Sequence, residues 1–160
     1  MLIAFLLVAT AVSSAVGQTY CHRCTGGLLS NANDGGDRLQ APTRRMLVDP
    51  WTQGSLRYAT YQRDDNFVLY SFSTGHRMPV WDAKSWSAWY TDASILRQTG
   101  QGQVIMQGDG NLVLVVLDRV VWSTETSMRG VGPYCLTLSM SCHLVILDSD
   151  CKTIWSVPSP

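Results

Sequence analysis

The sequence predicts an all-β protein assembled from repeated antiparallel hairpins. Three observations carry this expectation: a threefold internal repeat anchored on tryptophan, turn-forming residues at the same place in its copies, and a shortage of helix-forming charged residues. The chain has ten Arg but two Lys, and eleven Asp but one Glu. Lys and Glu favour helices, whereas Asp and the thirteen Gly favour turns. No segment carries an apolar stripe at helical spacing.

The repeat runs as follows. Block one contains Tyr61-Gln62-Arg63-Asp64-Asp65-Asn66-Phe67-Val68-Leu69-Tyr70, then Pro79-Val80-Trp81-Asp82. Block two contains Met106-Gln107-Gly108-Asp109-Gly110-Asn111-Leu112-Val113-Leu114-Val115, then Val120-Val121-Trp122-Ser123. Block three contains Leu138-Ser139-Met140-Ser141-Cys142-His143-Leu144-Val145-Ile146-Leu147, then Thr153-Ile154-Trp155-Ser156. The anchors Trp81, Trp122 and Trp155 recur at intervals of 41 and 33 residues and are expected in the core. Each block reads strand, turn, strand, turn, strand. The first turn is expected within Asp64-Asp65-Asn66, with the fold at Asp64-Asp65, and within Gly108-Asp109-Gly110-Asn111, residues that tolerate positive φ and make local side-chain hydrogen bonds. The longer second loop of block one, from Ser71 to Met78, explains its larger spacing. Residues 28–56, with Asn33-Asp34-Gly35-Gly36 and Pro42, read as a loop-rich lead-in that supplies outer strands.

Composition bounds the function. With 160 residues, 46% of them hydrophobic, the chain can bury one domain's core. Twelve basic and twelve acidic residues give no net charge, so nothing steers the protein toward nucleic acid or anionic lipid. The run Met1 to Val12 is apolar and uncharged, and small residues follow at Ser13-Ser14-Ala15-Val16-Gly17. This reads as a signal peptide over residues 1–17, although it lacks a basic n-region. The run is too short for a transmembrane helix, so a secreted, extracellular chain without membrane insertion is expected. Residues 18–27 then form a Cys-containing extension, and residues 28–157 one domain. Five cysteines remain, Cys21, Cys24, Cys135, Cys142 and Cys151, most of them expected in disulfides. Cys21-His22-Arg23-Cys24 lacks the βαβ context of a redox motif. The three His show no zinc spacing, and no pair of carboxylates or Ser–His–Asp set stands at a catalytic spacing. Neither an enzyme nor a cofactor is expected.

The first hairpin carries the chemistry. Folding at its tip makes Gln62 and Asn66 cross-strand neighbours about 5 Å apart. Asp64 sits at the turn, and the ring of Tyr70 can lean back toward them. The result is a carboxylate acceptor, two amides, a phenol and an apolar floor at Val68 in one patch. A hexose calls for that mixture, because its hydroxyls both donate and accept while its C–H face needs apolar contact.

The spacing Gln-x-Asp-x-Asn-x-Val-x-Tyr at Gln62, Asp64, Asn66, Val68 and Tyr70 resembles the mannose-binding motif of the bulb-type, snowdrop-lectin-like family of monocot lectins. The likeness, including the Trp after each hairpin, covers most of residues 50–157. It implies a β-prism of three four-stranded antiparallel sheets about a pseudo-threefold axis, with the repeated Trp packed centrally. It also implies roles: Asp64 and Asn66 on the axial 2-hydroxyl of mannose, Gln62 on the 3-hydroxyl, Tyr70 on the 4-hydroxyl and Val68 on the sugar's carbons. Block two keeps Gln107, Asp109, Asn111 and Val113 but has Val115 for Tyr. Losing a phenol hydrogen bond removes about 0.5–1.5 kcal/mol, which weakens or abolishes this second site. Block three keeps only Val145 and is expected to be silent, with His143 as an exposed strand residue. The family can carry a disulfide Cys at the turn position of Cys142; here Cys135 and Cys151 are its available partners, and Cys142–Cys151 is favoured. Cys21–Cys24, or Cys24 with a distant Cys, remains open. The resemblance implies mannose or mannose-rich glycans as partners and a homodimer or higher oligomer, serving defence or cell recognition. The alternative is a lectin scaffold that has lost sugar binding and serves as a protein-interaction or structural module.

Overall fold

The computed structural model describes residues 19–40, 45–52, 56–73, 75–85 and 100–157. The expected signal peptide, the aromatic stretch Trp86 to Tyr90 and the closing Pro158 and Pro160 lie outside the described residues. Among the described residues the elements are twelve strands. Three come from the lead-in: β1 (Leu28–Leu29), β2 (Arg38–Gln40) and β3 (Met46–Val48). Block one forms β4 (Arg57–Tyr61), β5 (Phe67–Ser73) and β6 (His76–Asp82). Block two forms β7 (Gln103–Met106), β8 (Leu112–Val116) and β9 (Arg119–Ser123). Block three forms β10 (Cys135–Leu138), β11 (Leu144–Leu147) and β12 (Thr153–Val157). Among the described residues no helix is long and apolar enough to cross a membrane.

The strands make three four-stranded antiparallel sheets in the orders β3-β4-β5-β6, β2-β7-β8-β9 and β1-β10-β11-β12. Each block therefore builds three strands of its own sheet, and the lead-in adds one outer strand to every sheet. Such a strand of two or three residues holds because its central Leu is buried: Leu28, Leu39 and Leu47 are all closed to solvent. The middle strands contribute equivalent pairs to one core, Phe67 and Leu69, Leu112 and Leu114, Leu144 and Ile146. Along a strand side chains alternate between faces, so Val68, Val113 and Val145 turn to the outer faces.

The three sheets share one irregularity. The register slips between Leu69 and Tyr70, between Leu114 and Val115, and between Ile146 and Leu147. In each case the partner strand carries one extra residue, Val80, Val121 or Ile154, directly before the Trp. A bulge lets two successive residues face the same side. That is why an apolar residue and a Trp can both pack inward at Val80-Trp81, Val121-Trp122 and Ile154-Trp155. The three indoles close on one another edge-to-face, with centroids 5.6, 5.8 and 6.1 Å apart. Each such contact contributes about 0.5–1.5 kcal/mol beyond area burial.

The favoured pairing is not the one found, while the open option of Cys24 with a distant Cys holds. Cys21 bonds Cys151 and Cys24 bonds Cys135, while Cys142 is free. The favoured Cys142–Cys151 pair fails because Cys142 sits in the first turn of block three and Cys151 in the second, at opposite ends of β11. Cys21–Cys24 fails because these two reach opposite edges of β10-β11-β12, one to the second turn and one to β10. The extension is thus stapled twice across the outer face of the third sheet. Beneath it lies a second apolar cluster of Cys21, Cys135, Val145 and Leu147. The Arg23 guanidinium adds a bond to the Cys151 carbonyl, and the Thr137 hydroxyl donates to the Thr25 carbonyl at 3.0 Å.

Candidate functional site

All three first turns have the same backbone. The amide of Asp65 donates to the Gln62 carbonyl at 3.2 Å, and the amide of Gln62 donates to the Asn66 carbonyl at 2.9 Å. Gln107, Gly110 and Asn111 repeat this at 3.2 and 2.9 Å, and Ser139, Cys142 and His143 at 2.8 and 2.8 Å. The fourth turn residue has positive φ in each copy: 62° at Asp65, 90° at Gly110 and 60° at Cys142. The chain therefore reverses at Arg63-Asp64, one residue earlier than expected, and Asp65 is the left-handed residue that returns it to the ladder. Aspartate tolerates that region better than most residues. Asp64 and Asp109 then cap their own turns, accepting the amides of Asn66 at 3.2 Å and Asn111 at 3.0 Å. The next residue but one thus enters its strand at a defined angle.

In block one the expected residues converge. The Gln62 side-chain amide donates to the Tyr70 hydroxyl at 2.7 Å, so Tyr70 does lean back over the turn. Its ring stacks on Tyr58, across the ladder, with centroids 5.2 Å apart. The Arg77 guanidinium lies 5.5 Å from the Tyr58 ring centre. Asp64 is exposed, Gln62 and Tyr70 are half-buried, and Val68 forms the floor. Asn66 is more enclosed than expected, at 4% exposure. Its Nδ2 donates to Asp82 at 3.3 Å, and its Oδ1 accepts from the Ser85 hydroxyl at 3.2 Å. Its amide is thereby fixed in orientation, with Asp82 as a further carboxylate beside Val68.

Asp65 points the other way. It is buried, accepts the Tyr61 hydroxyl and the Gly100 amide, the latter at 3.0 Å, and has its carbonyl held by Ser85 at 2.7 Å. Burial first, and then the Asp65 carboxylate, push the Tyr61 phenol far above its usual range. This tie locks the turn to the core from behind.

Block two brings Gln107, Asp109, Asn111 and Val113 to the same relative places. Its surroundings differ. Ser127 donates to the second Asp109 oxygen at 2.6 Å, and Asn111 Oδ1 accepts from Thr124 at 3.1 Å and the Thr126 amide at 3.2 Å. Thr126 anchors the turn as Ser85 does, donating to the Gly110 carbonyl at 2.7 Å. In block three Ser139, Ser141 and His143 bond chiefly to one another, and His143 is half-buried rather than exposed.

Several of these residues escaped the motif. Ser85 and Thr126 stand four positions after Trp81 and Trp122, a spacing visible in the sequence once the Trp anchors are aligned. Asp82 directly follows Trp81. Tyr58 and Arg77 carry no motif signal; only the pairing of Tyr58 with Tyr70 places them. The arrangement can accept and donate hydrogen bonds to adjacent hydroxyls over an apolar floor. Among the described residues the one group of possible metal donors, Cys21, His22 and Cys151, has its two sulfurs joined to each other.

No protein-family profile matches the chain. Among curated proteins it is similar to mannose-specific lectin 2 of Colocasia esculenta, with 32% identity over 115 residues. That match takes in 70% of this chain and 36% of the relative, so the chain spans about a third of the relative's length. Among solved structures it is similar to a monomeric monocot mannose-binding lectin from Gastrodia elata, with 26% identity and a TM-score of 0.58 over 82% of this chain and 94% of that one. The mannose-specific agglutinin of snowdrop, Galanthus nivalis, solved with methyl-α-D-mannoside, shares the fold at 24% identity and a TM-score of 0.55, covering 79% and 92%.

Proposed function

Because the chain belongs to the bulb-type mannose-binding lectin family, we propose that it binds mannose or mannose-containing glycans reversibly through the hairpin from Gln62 to Tyr70. The observation that carries the reading is the bond from Gln62 Nε2 to the Tyr70 hydroxyl at 2.7 Å, over Val68 and beside an exposed Asp64. It brings amide, phenol and carboxylate to one face within reach of a single sugar ring. Asp64 accepts from a sugar hydroxyl, a charge-assisted bond of the stronger kind. Gln62 and Tyr70 exchange their mutual bond for bonds to adjacent hydroxyls. Asn66 acts in an orientation set by Asp82 and Ser85. No bond is made or broken. Block two is a second, weaker site through Gln107, Asp109, Asn111 and Val113, without the phenol and with Asp109 partly engaged by Ser127.

Shallow sites of this kind gain avidity by multivalency, so assembly into dimers or larger oligomers belongs to the proposal. So does secretion, in defence or cell recognition; the two disulfides support an oxidising compartment. The test is retention on mannose-agarose with elution by free mannose. The wild type should be retained, and Asp64→Ala and Tyr70→Phe should be retarded much less. Undiminished retention of both variants would move the site elsewhere, and a wild type that flows through would refute sugar binding.

A further inference from the structure

The third sheet has lost the sugar motif, yet its outer face carries a lined hollow. A cleft of about 490 Å³ lies where block three's sugar site would be. Its floor is Val145 and Leu147, the positions that in block one are Val68 and Tyr70. Here the extension, held by Cys21–Cys151 and Cys24–Cys135, raises a wall of His22, Arg23 and Thr25 along it. Trp51 and Met140 also line it, and both stand out into solvent, at 64% and 75% exposure. Exposed apolar side chains of this size around a concave, covalently fixed surface are the usual signature of a ligand site.

The lining also states what the ligand is. A sugar needs a carboxylate or amide acceptor, and the described residues lining this cleft offer none; Ser139 and Ser141, at the sites of Gln62 and Asp64, bond each other at 3.0 Å. The surface is mainly aliphatic and indole. Arg23 is its permanent cation, His22 stands next to it in sequence, and none of the described lining residues is acidic. The volume suits a body of one to three rings or a short chain. We propose that this cleft is a separate ligand site for a small anionic amphiphile, an apolar body seated on Val145, Leu147 and Trp51 with one acidic group turned to Arg23. The site does not depend on the sugar-binding reading, since it shares no residue with either sugar hairpin.

The experiment uses the full oxidised chain and two fluorescent probes with the same kind of aromatic body: 8-anilinonaphthalene-1-sulfonate, and the uncharged N-phenyl-1-naphthylamine. The sulfonate should bind saturably at one site per chain, and the neutral probe about tenfold more weakly. Arg23→Gln should bring the two within about twofold. Trp51→Ala should weaken both at least fivefold; its indole is exposed, and Trp51 joins the local turn through its backbone amide, which donates to Asp49 and is kept in the variant. Met140→Asp, at another exposed position, should weaken the sulfonate far more than the neutral probe. Saturating methyl α-mannoside should displace neither. Near-UV circular dichroism must match the wild type in every variant, because the sulfonate also binds loosened cores. Non-saturable binding, displacement by the mannoside, or affinities untouched by both Trp51→Ala and Met140→Asp would overturn the proposal.

Discussion

Removing one disulfide should cost less than the length of its loop suggests, because the two bridges are nested. Cys21–Cys151 spans 130 residues and Cys24–Cys135 spans 111. Taken alone, closing a loop of that size restricts the unfolded chain by about 5 kcal/mol. Once either bridge exists, the other closes only the chain between them. The difference between the two separations, 130 and 111, is a ring of 19 residues. A ring that short contributes about 3 kcal/mol. Thus Cys24→Ser/Cys135→Ser and Cys21→Ser/Cys151→Ser should each lower stability by about 3 kcal/mol, and the quadruple variant by about 8. The assay is urea unfolding followed by tryptophan fluorescence, in a Cys142→Ser background that prevents thiol exchange. Cys142 is only half-buried in a turn, so this change should itself be nearly silent. A loss near 5 kcal/mol for each pair, with strict additivity, would show that the bridges are not nested as described. No loss for either would show that the extension is not stapled to the third sheet.

Three further outcomes follow from particular contacts. Val115→Tyr restores the absent phenol of block two and should raise affinity there by about 0.5–1.5 kcal/mol, up to roughly tenfold, in calorimetric titration with methyl α-mannoside. Ser85→Ala removes the hydroxyl that holds both the Asp65 carbonyl and Asn66; it should cost about 1–3 kcal/mol of stability and weaken mannoside binding at the first hairpin. The Tyr61 phenol has its folded pKa raised, so the folded state holds its proton where the unfolded state releases it. Stability is therefore intact below about pH 10 and falls above it by about 1.4 kcal/mol per pH unit for this group. In Tyr61→Phe that alkaline slope, measured above about pH 10 in denaturant titrations, should be shallower by up to the same amount, with no difference in slope at about pH 8 to 9.

What could be read from residue order follows a physical division. The hairpins were legible because turn chemistry and alternation are local: Asp109-Gly110 and the run Leu112 to Val116 declare themselves within ten residues. The convergence of Gln62 with Tyr70 was legible for the same reason, since one turn brings them together. The lead-in strands were foreseen only as a region. Their positions depend on a single buried Leu each, and two or three residues have no periodicity. The partner of Cys24 is legible only as a distant Cys, and Cys142–Cys151 is not the pair formed, because pairing depends on how a distant segment crosses the third sheet, which no local pattern encodes. The turn was placed one residue late, because Asp64 and Asp65 are equally good turn residues. Their roles separate only when Asp65 is seen facing Tyr61 in the core while Asp64 faces water. The cleft of block three was also hidden, being made by the extension rather than by the repeat.

The central claim is that one scaffold repeated three times carries one full sugar site, one weakened site and one that takes no sugar. Titrating the isotopically labelled chain with methyl α-mannoside, and following every backbone amide by nuclear magnetic resonance, tests it most directly. The account predicts the largest saturable shifts at residues 62–70 and smaller ones, with weaker affinity, at residues 107–113. It predicts none at residues 139–147. Equal responses at all three hairpins, or shifts at residues 139–147 without any at 62–70, would contradict it.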